Sequence, residues 1–152
     1  MNNLIIKNKK AYFDYEILET YETGIVLFGS EVKAIRKKHI SIKEAYCKID
    51  KNNEIFLINS TISLESNIQE FRKPDEKREK KLLMKKKEIK KLNKKVQEEQ
   101  ITIVPLEVYF NKNNKCKILI GLAKGKKLYD KREALKEKDI QMETKKLIKE
   151  YF

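Results

Sequence analysis

Residues 101–110 and 116–123 form two alternating apolar runs, separated only by Asn111-Lys112-Asn113-Asn114-Lys115, and no other feature constrains the fold as much. Alternation with period two puts successive side chains on opposite faces, and a short Asn-rich turn folds the second run back along the first. An antiparallel pair of strands follows. Pro105 moves the alternation from Ile101 and Ile103 to Val104, Leu106, Val108 and Phe110, the mark of a bulge or an edge position. In the second run Cys116, Ile118, Ile120 and Leu122 share the core face, so Lys117 points outward.

The same periodicity recurs upstream. Phe13, Tyr15, Ile17, Glu19 and Tyr21 alternate with Asp14, Glu16, Leu18 and Thr20, which predicts a half-buried strand over 12–21. Thr23-Gly24 breaks it, and Ile25-Val26-Leu27-Phe28 restarts it as the second arm of a hairpin. Gly29-Ser30 supplies a turn and an N-cap for a short helix from Glu31, with Val32 and Ile35 inward and Lys37 and Lys38 at its end. Ser41-x-x-Glu44 has the form of a capping box. However, Ala45, Cys47 and Ile49 alternate, and the turn Asp50-Lys51-Asn52-Asn53 leads into Ile55-Phe56-Leu57-Ile58, so a second hairpin is expected instead. Residues 59–76 are polar, contain Pro74 and read as a loop.

From 76 to 99 the chain is Lys-rich, with Leu82, Ile89, Leu92 and Val96 at helical spacing, which predicts the longest helix. On that helix Leu83 would project roughly 150° from the apolar stripe, among lysines. Two readings stand side by side: an isolated exposed leucine, which is common, or an apolar contact planted in a phosphate-binding face. About six short strands with one short and one long helix make a mainly β protein of α+β type. The expected architecture is a small antiparallel, OB-like barrel with helices packed against it.

The chain's 152 residues suit one domain, able to bury roughly 68–70% of its unfolded surface without metal or disulfide support. Cys47 and Cys116 stand outside any CxxC and read as small buried hydrophobes in a reducing compartment. No apolar run approaches the ~18 residues of a membrane span, and Met1-Asn2-Asn3-Leu4-Ile5-Ile6-Lys7 has no signal-peptide core. A cytoplasmic location without membrane association is expected. After Ala123 the chain has almost nothing to bury beyond a thin stripe at Ile140, Leu147 and Tyr151. Residues 1–123 are therefore expected as the folded unit, and 124–152 as a flexible basic tail that only a partner orders.

Charge is unevenly placed. Residues 1–70 carry 10 basic and 10 acidic side chains, 71–100 carry 13 and 6, and 101–152 carry 13 and 7, so the whole excess of +13 lies beyond Phe71. A localised basic surface is the footprint of a polyanion, because each Lys or Arg on a phosphate releases condensed counterions. Nucleic acid is the leading partner. The plainer alternative is a solvated face in a Lys-rich protein, since 32 of the 36 basic residues are Lys. Catalytic chemistry finds little support: His39, the only imidazole, sits in a polar turn, and no Cys, His or carboxylate spacing fits a metal. Gly121-x-x-x-Gly125-Lys126-Lys127 is one residue short of a phosphate loop and has Lys127 in place of its Ser/Thr.

Several blocks, in order along nearly the whole chain, carry a resemblance. They are Asn8-Lys9-Lys10-Ala11 with Asp14-Tyr15, Tyr21-Glu22-Thr23-Gly24-Ile25, the run from Gly29 to Arg36, Lys81-Leu82-Leu83, Val104-Pro105-Leu106, and above all the run from Gly121 to Arg132. Together they resemble the SmpB family, the SsrA-binding proteins of bacterial trans-translation. The resemblance implies a six-stranded OB-like barrel with packed helices and a basic tail. It implies binding of the tRNA-like domain of transfer-messenger RNA, and its delivery with elongation factor Tu to the vacant A site of a stalled ribosome, with no reaction catalysed and no cofactor. RNA-facing positions would be Asn8, Lys10, Glu22, Leu83, Lys117, Gly125, Lys126 and Lys127. Tyr129, Asp130, Lys131 and Arg132 would lie near the decoding centre, and the segment with Ile140, Leu147 and Ile148 would be a helix in the empty messenger channel.

The chain departs from the family pattern at Phe13, where His is usual, at Ser30 in place of Thr, and before Lys81, where Pro74-Asp75-Glu76 replaces the usual Asp-Pro. Phe13 retains a stacking surface but loses a hydrogen bond. Two further readings remain: a generic ribosomal or nucleoid-associated protein using the same barrel and arm as electrostatic glue, and a small nucleic-acid hydrolase, which the lack of a carboxylate or His cluster disfavours.

Overall fold

The computed structural model describes residues 3–64 and 74–125. Along them run β1 (Asn3–Lys7), α1 (Lys9–Asp14), β2 (Tyr15–Ile25), α2 (Gly29–Arg36), β3 (Ile40–Ser41), β4 (Tyr46–Ile49), β5 (Ile55–Ile58) and β6 (Thr61–Ile62). They are followed by β7 (Lys80–Leu83), α3 (Lys86–Glu99), β8 (Thr102–Phe110) and β9 (Cys116–Gly125). The main sheet has the order β1-β8-β4-β5-β7-β2-β9, and a further β8–β9 pairing returns it on itself. Strands β8, β4, β5, β7, β2 and β9 thus form a closed antiparallel ring, with β1 added outside on β8. Closure leaves these strands no free edge, and it sets the six-stranded OB-like barrel expected from the sequence.

Inside the ring lie Ile55, Leu57, Leu82, Val108, Ile118 and Ile120, each 0–1% exposed, and α2 and α3 close it with Ile35 and Leu92. A second, smaller cluster joins Ala11 of α1 to Val104, Leu106 and Ala123 on the opposite face of β8 and β9. The two clusters are possible because β8 changes parity. Its register shifts between Pro105 and Glu107, so Val104 and Leu106 face α1 while Val108 and Phe110 face the ring interior. The sequence pattern expected all four on one side of a bulge placed earlier. The break falls later, at Leu106, because α1 offers the upstream half an apolar cover of its own.

Other expectations are corrected as well. No strand begins at Tyr12 and no hairpin turns at Thr23-Gly24. Asn8 caps α1, taking the Ala11 N–H at 3.2 Å, and β2 then runs unbroken past Gly24, paired with β9 from Tyr15 to Gly24. Thr23 is buried with its hydroxyl donating to the Ile118 carbonyl at 2.9 Å, and Gly24 has no positive φ, so nothing there makes a turn. The long helix over 76–99 is likewise shortened. Lys80 and Leu82 are buried and alternate with exposed Lys81 and Leu83 in β7, which slots between β5 and β2, and α3 starts only at Lys86. The seven-residue interval from Leu82 to Ile89 fits a helix numerically, but tertiary pairing of four residues overrides it.

Finally, Ser30 does not cap α2. Phe28 holds the cap position, and its N–H donates to the Glu31 carboxylate at 2.8 Å. The β4–β5 hairpin forms as expected, with Asn53 at φ 57° in its turn. Within the expected loop, Thr61–Ile62 pairs with Ile40–Ser41, and residues 65–73 lie outside those described. Strand β9 continues to Gly125, two residues past its expected end.

Candidate RNA-binding surface

Strand register brings distant residues into one row. Leu83 on β7 pairs with Gly24 on β2, Gly24 with Lys117 on β9, and Lys117 with Tyr109 on β8. Their neighbours Leu82, Ile25, Ile118 and Val108 are buried in the ring, so the row lies on its outer surface. Three strand spacings of ~4.8 Å make it about 14 Å long. Glu22, two residues before Gly24, shares this face one step along and pairs with Leu119.

The row is a shelf with defined chemistry. Leu83 is 51% exposed although apolar. A Cβ built on Gly24 would stand 3.3 Å from the Leu83 Cβ, so the glycine is what lets leucine lie close to the strand beside it. Glu22 is exposed and accepts a hydrogen bond from the Tyr109 hydroxyl. Tyr109 is itself 6% exposed, and burial together with the Glu22 carboxylate raises its pKa far above the usual phenol value, so the hydroxyl remains a donor. Lys117 is half-buried, and among the described residues it makes no ion pair. Nearby lysines differ: Lys81 lies 2.6 Å from Glu54, and Lys95 lies 2.7 Å from Glu19.

Asn8 and Lys10 sit elsewhere. Asn8 is 3% exposed, and its amide donates to the carbonyls of Ile42 at 3.1 Å and Pro105 at 2.9 Å. Its side chain therefore ties α1 to the barrel, and it serves a surface only by placing the residues around it. Lys10 is exposed and held 2.7 Å from Glu44, whose hydrogen bond and charge raise the lysine's pKa. Beside them a cleft of about 340 Å³ is lined by Lys7, Asn8, Lys10, Phe13, Ile42 and Lys43. Gly125 ends β9 opposite Tyr15, at the same end of β2 as this cleft. Gly24 lies nine residues along, or about 30 Å at ~3.3 Å per residue, so the nominated positions fall into two groups at opposite ends of β2.

Leu83 is exposed as the sequence suggested, but strand alternation turns it out, not a helical stripe. Tyr109 and Gly24 were missed as members of the row; the parity change at Pro105 was the available signal, since it places Tyr109 on the face of Lys117. Lys126, Lys127, Tyr129, Asp130, Lys131, Arg132, Ile140, Leu147 and Ile148 lie outside the described residues. Among those described, no group of His, Cys, Asp or Glu could hold a metal, and no helix is long and apolar enough to cross a membrane. Cys47 is buried, and burial raises its thiol pKa; Cys116 is partly buried, with its thiol pushed up to about 11 by the same cause.

The family model for SmpB protein matches residues 5–150. The chain belongs to the SmpB family. The SsrA-binding protein of Helicobacter hepaticus is 51% identical over 97% of this chain and 95% of its own length. That of Helicobacter pylori strain Shi470 is 50% identical over 98% and 97%, and that of Nitratiruptor sp. 51% identical over 97% and 98%. A chain in the solved structure described as "tmRNA-SmpB: a journey to the center of the bacterial ribosome" superposes with a TM-score of 0.67 at 38% identity, covering 89% of this chain and 93% of that one. Within the SmpB family, then, this barrel presents the Leu83–Gly24–Lys117–Tyr109 row with Glu22 beside it.

Proposed function

We propose that this chain binds the tRNA-like domain of transfer-messenger RNA and acts with it in trans-translation on stalled ribosomes in the cytoplasm. The carrying observation is the SmpB family match over residues 5–150. The barrel face supplies a physical means. Folded RNA is recognised by shape, stacking and 2′-hydroxyl contacts as well as by phosphate charge. Leu83 offers an apolar surface to an unstacked base, Glu22 an acceptor for base or ribose donors, and Lys117 a cation for phosphate. The cleft with Lys10 and Phe13, and Gly125 with Lys126 and Lys127 beyond it, would form a second contact region. Asn8 acts there by fixing α1.

Tyr129, Asp130, Lys131 and Arg132 would reach the decoding centre, and the segment with Ile140, Leu147 and Ile148 would occupy the messenger channel as a helix. Messenger in that channel would exclude it, so vacancy is the signal. Elongation factor Tu would join through the RNA complex. The protein acts by binding, and no reaction is assigned to it.

Binding of the isolated tRNA-like domain across a salt series tests the proposal. Lys117→Ala should reduce the slope of log K against log salt by about 0.7–0.9, the loss of one phosphate contact. Leu83→Ala should weaken binding several-fold at unchanged slope. A wild-type protein that shows no preference for this domain over bulk tRNA at moderate salt would be a generic polyanion binder, and the proposal would fail.

A further inference from the structure

Glu22 and Lys117 are of opposite charge, lie on the same barrel face and are diagonal neighbours, since Glu22 pairs with Leu119 and Lys117 with Gly24 two residues along. Such diagonals are about 7–8 Å apart at Cα, within reach of long side chains, and an opposite-charge pair there is favourable. Yet no ion pair forms between them. The Glu22 carboxylate instead accepts from the Tyr109 hydroxyl, which reaches it from β8 on the far side of Lys117. A phenol is a neutral donor, so it satisfies a carboxylate without using a cation.

We infer that Tyr109 is a positioning residue that holds Glu22 away from Lys117, keeping the Lys117 ammonium available to an RNA phosphate. This deepens the proposed function and rests on its assignment of Lys117 to phosphate. Surrounding groups fit the role. Gly24, the β2 partner of Lys117, has no side chain that could engage the ammonium, and on the β8 side the Glu107 carboxylate is the acceptor of the Tyr12 hydroxyl at 3.4 Å. Were the phenol removed, Glu22 would be left without its donor and would swing to the nearest free cation. The resulting ion pair would neutralise Lys117 before RNA arrives.

Four proteins measured against the tRNA-like domain over a salt series decide it: wild type, Lys117→Ala, Tyr109→Phe, and Tyr109→Phe combined with Glu22→Gln. Tyr109→Phe should reproduce the slope loss of Lys117→Ala, about 0.7–0.9, although it removes no charge. The double variant should regain the wild-type slope, because glutamine cannot pair with the ammonium as a charge, and that recovery also shows that the phenylalanine barrel is folded. If Lys117→Ala lowers the slope but Tyr109→Phe does not, the inference is wrong and the proposed function stands. A slope that stays low in the double variant also overturns it, since Glu22 would then not be the competitor. If Lys117→Ala itself leaves the slope unchanged, Lys117 meets no phosphate, and both fall.

Discussion

Lys80 is wholly buried, at 0% exposure, the one lysine among the buried side chains of the described residues. Its ammonium donates to the Ser60 hydroxyl and to the Arg78 carbonyl, each at 2.9 Å, with no carboxylate in direct contact. Burial is the main cause of a pKa lowered from 10.5 to about 8, with Glu31 opposing the shift and Arg78 adding to it. A fall from 10.5 to about 8 corresponds to about 3 kcal/mol at 1.36 kcal/mol per pH unit. The sign follows from proton counting. Between pH 8 and 10.5 the unfolded chain holds a proton that the folded chain has shed, so stability rises with pH through this window. Below pH 8 both states are charged and the full cost of the buried ammonium is present; above 10.5 both are neutral and it is gone.

Lys80→Met removes that cost but leaves the Ser60 hydroxyl without its partner, a loss of about 1–3 kcal/mol. At pH 7 the variant should therefore lie between neutral and about 2 kcal/mol more stable than wild type. Urea unfolding of both proteins at pH 7, 8, 9 and 10 isolates the effect, because every other titrating group cancels in the difference. Wild type should gain on the variant by about 2–3 kcal/mol between pH 7 and 10. A difference that stays flat across that range would show that Lys80 keeps its ordinary pKa, and the reasoning from burial would be refuted.

Gly121→Ala should destabilise the barrel by about 1–3 kcal/mol, because its Cβ would stand 2.8 Å from Leu106 Cδ1 and 3.1 Å from Ile17 Cγ2, and Leu106 is wholly buried; thermal unfolding measures this, and an unchanged midpoint would contradict it. Arg78→Met should cost about 3–5 kcal/mol in chemical denaturation. The guanidinium donates from Nε to the buried Glu31 carboxylate at 2.9 Å and from Nη2 to the Val26 carbonyl at 3.1 Å, and it stacks on Phe28, so its removal leaves Glu31 buried without its cation; a loss below 1 kcal/mol would mean that the Phe28 N–H alone satisfies Glu31.

How legible the molecule was depends on the length over which each pattern repeats. Strands β8 and β9 and the β4–β5 hairpin were readable because alternation persists and an Asn-containing turn closes each pair. Strand β7 was not readable. Its four residues lie in a Lys-rich stretch that favours helix locally, and only pairing with β5 and β2 makes them a strand. Residues 9–14 show the converse: Phe13 continues an alternating pattern, but the Asn8 cap and the apolar cover over Val104 and Leu106 favour a helix turn there. At the site, the resemblance nominated Glu22, Leu83 and Lys117 singly. Their assembly depends on the β7–β2–β9 register, which brings together residues 34 to 95 positions apart and cannot be read from local pattern.

The register also divides the work between two kinds of positive charge. Helix α3 begins three residues after Leu83 and reaches back beside β2, where Lys95 meets Glu19, so its exposed Lys86, Lys87, Lys90, Lys91 and Lys94 lie on the element next to the row. These long, solvated side chains raise the local potential over a Debye length of about 8–10 Å, which speeds encounter with any polyanion and selects none. Lys117 differs because it is half-buried on a strand between Gly24 and Tyr109, with neighbours of fixed shape on both sides. In the proposed contact, a single cation held in register with an apolar Leu83 and an acceptor Glu22 would require phosphate, base and donor to arrive at matching positions. Only a folded RNA of the right shape meets all three at once. On the proposed function, selectivity would therefore reside in the least basic part of the face, and the lysine count, which first pointed to nucleic acid, would account for attraction alone.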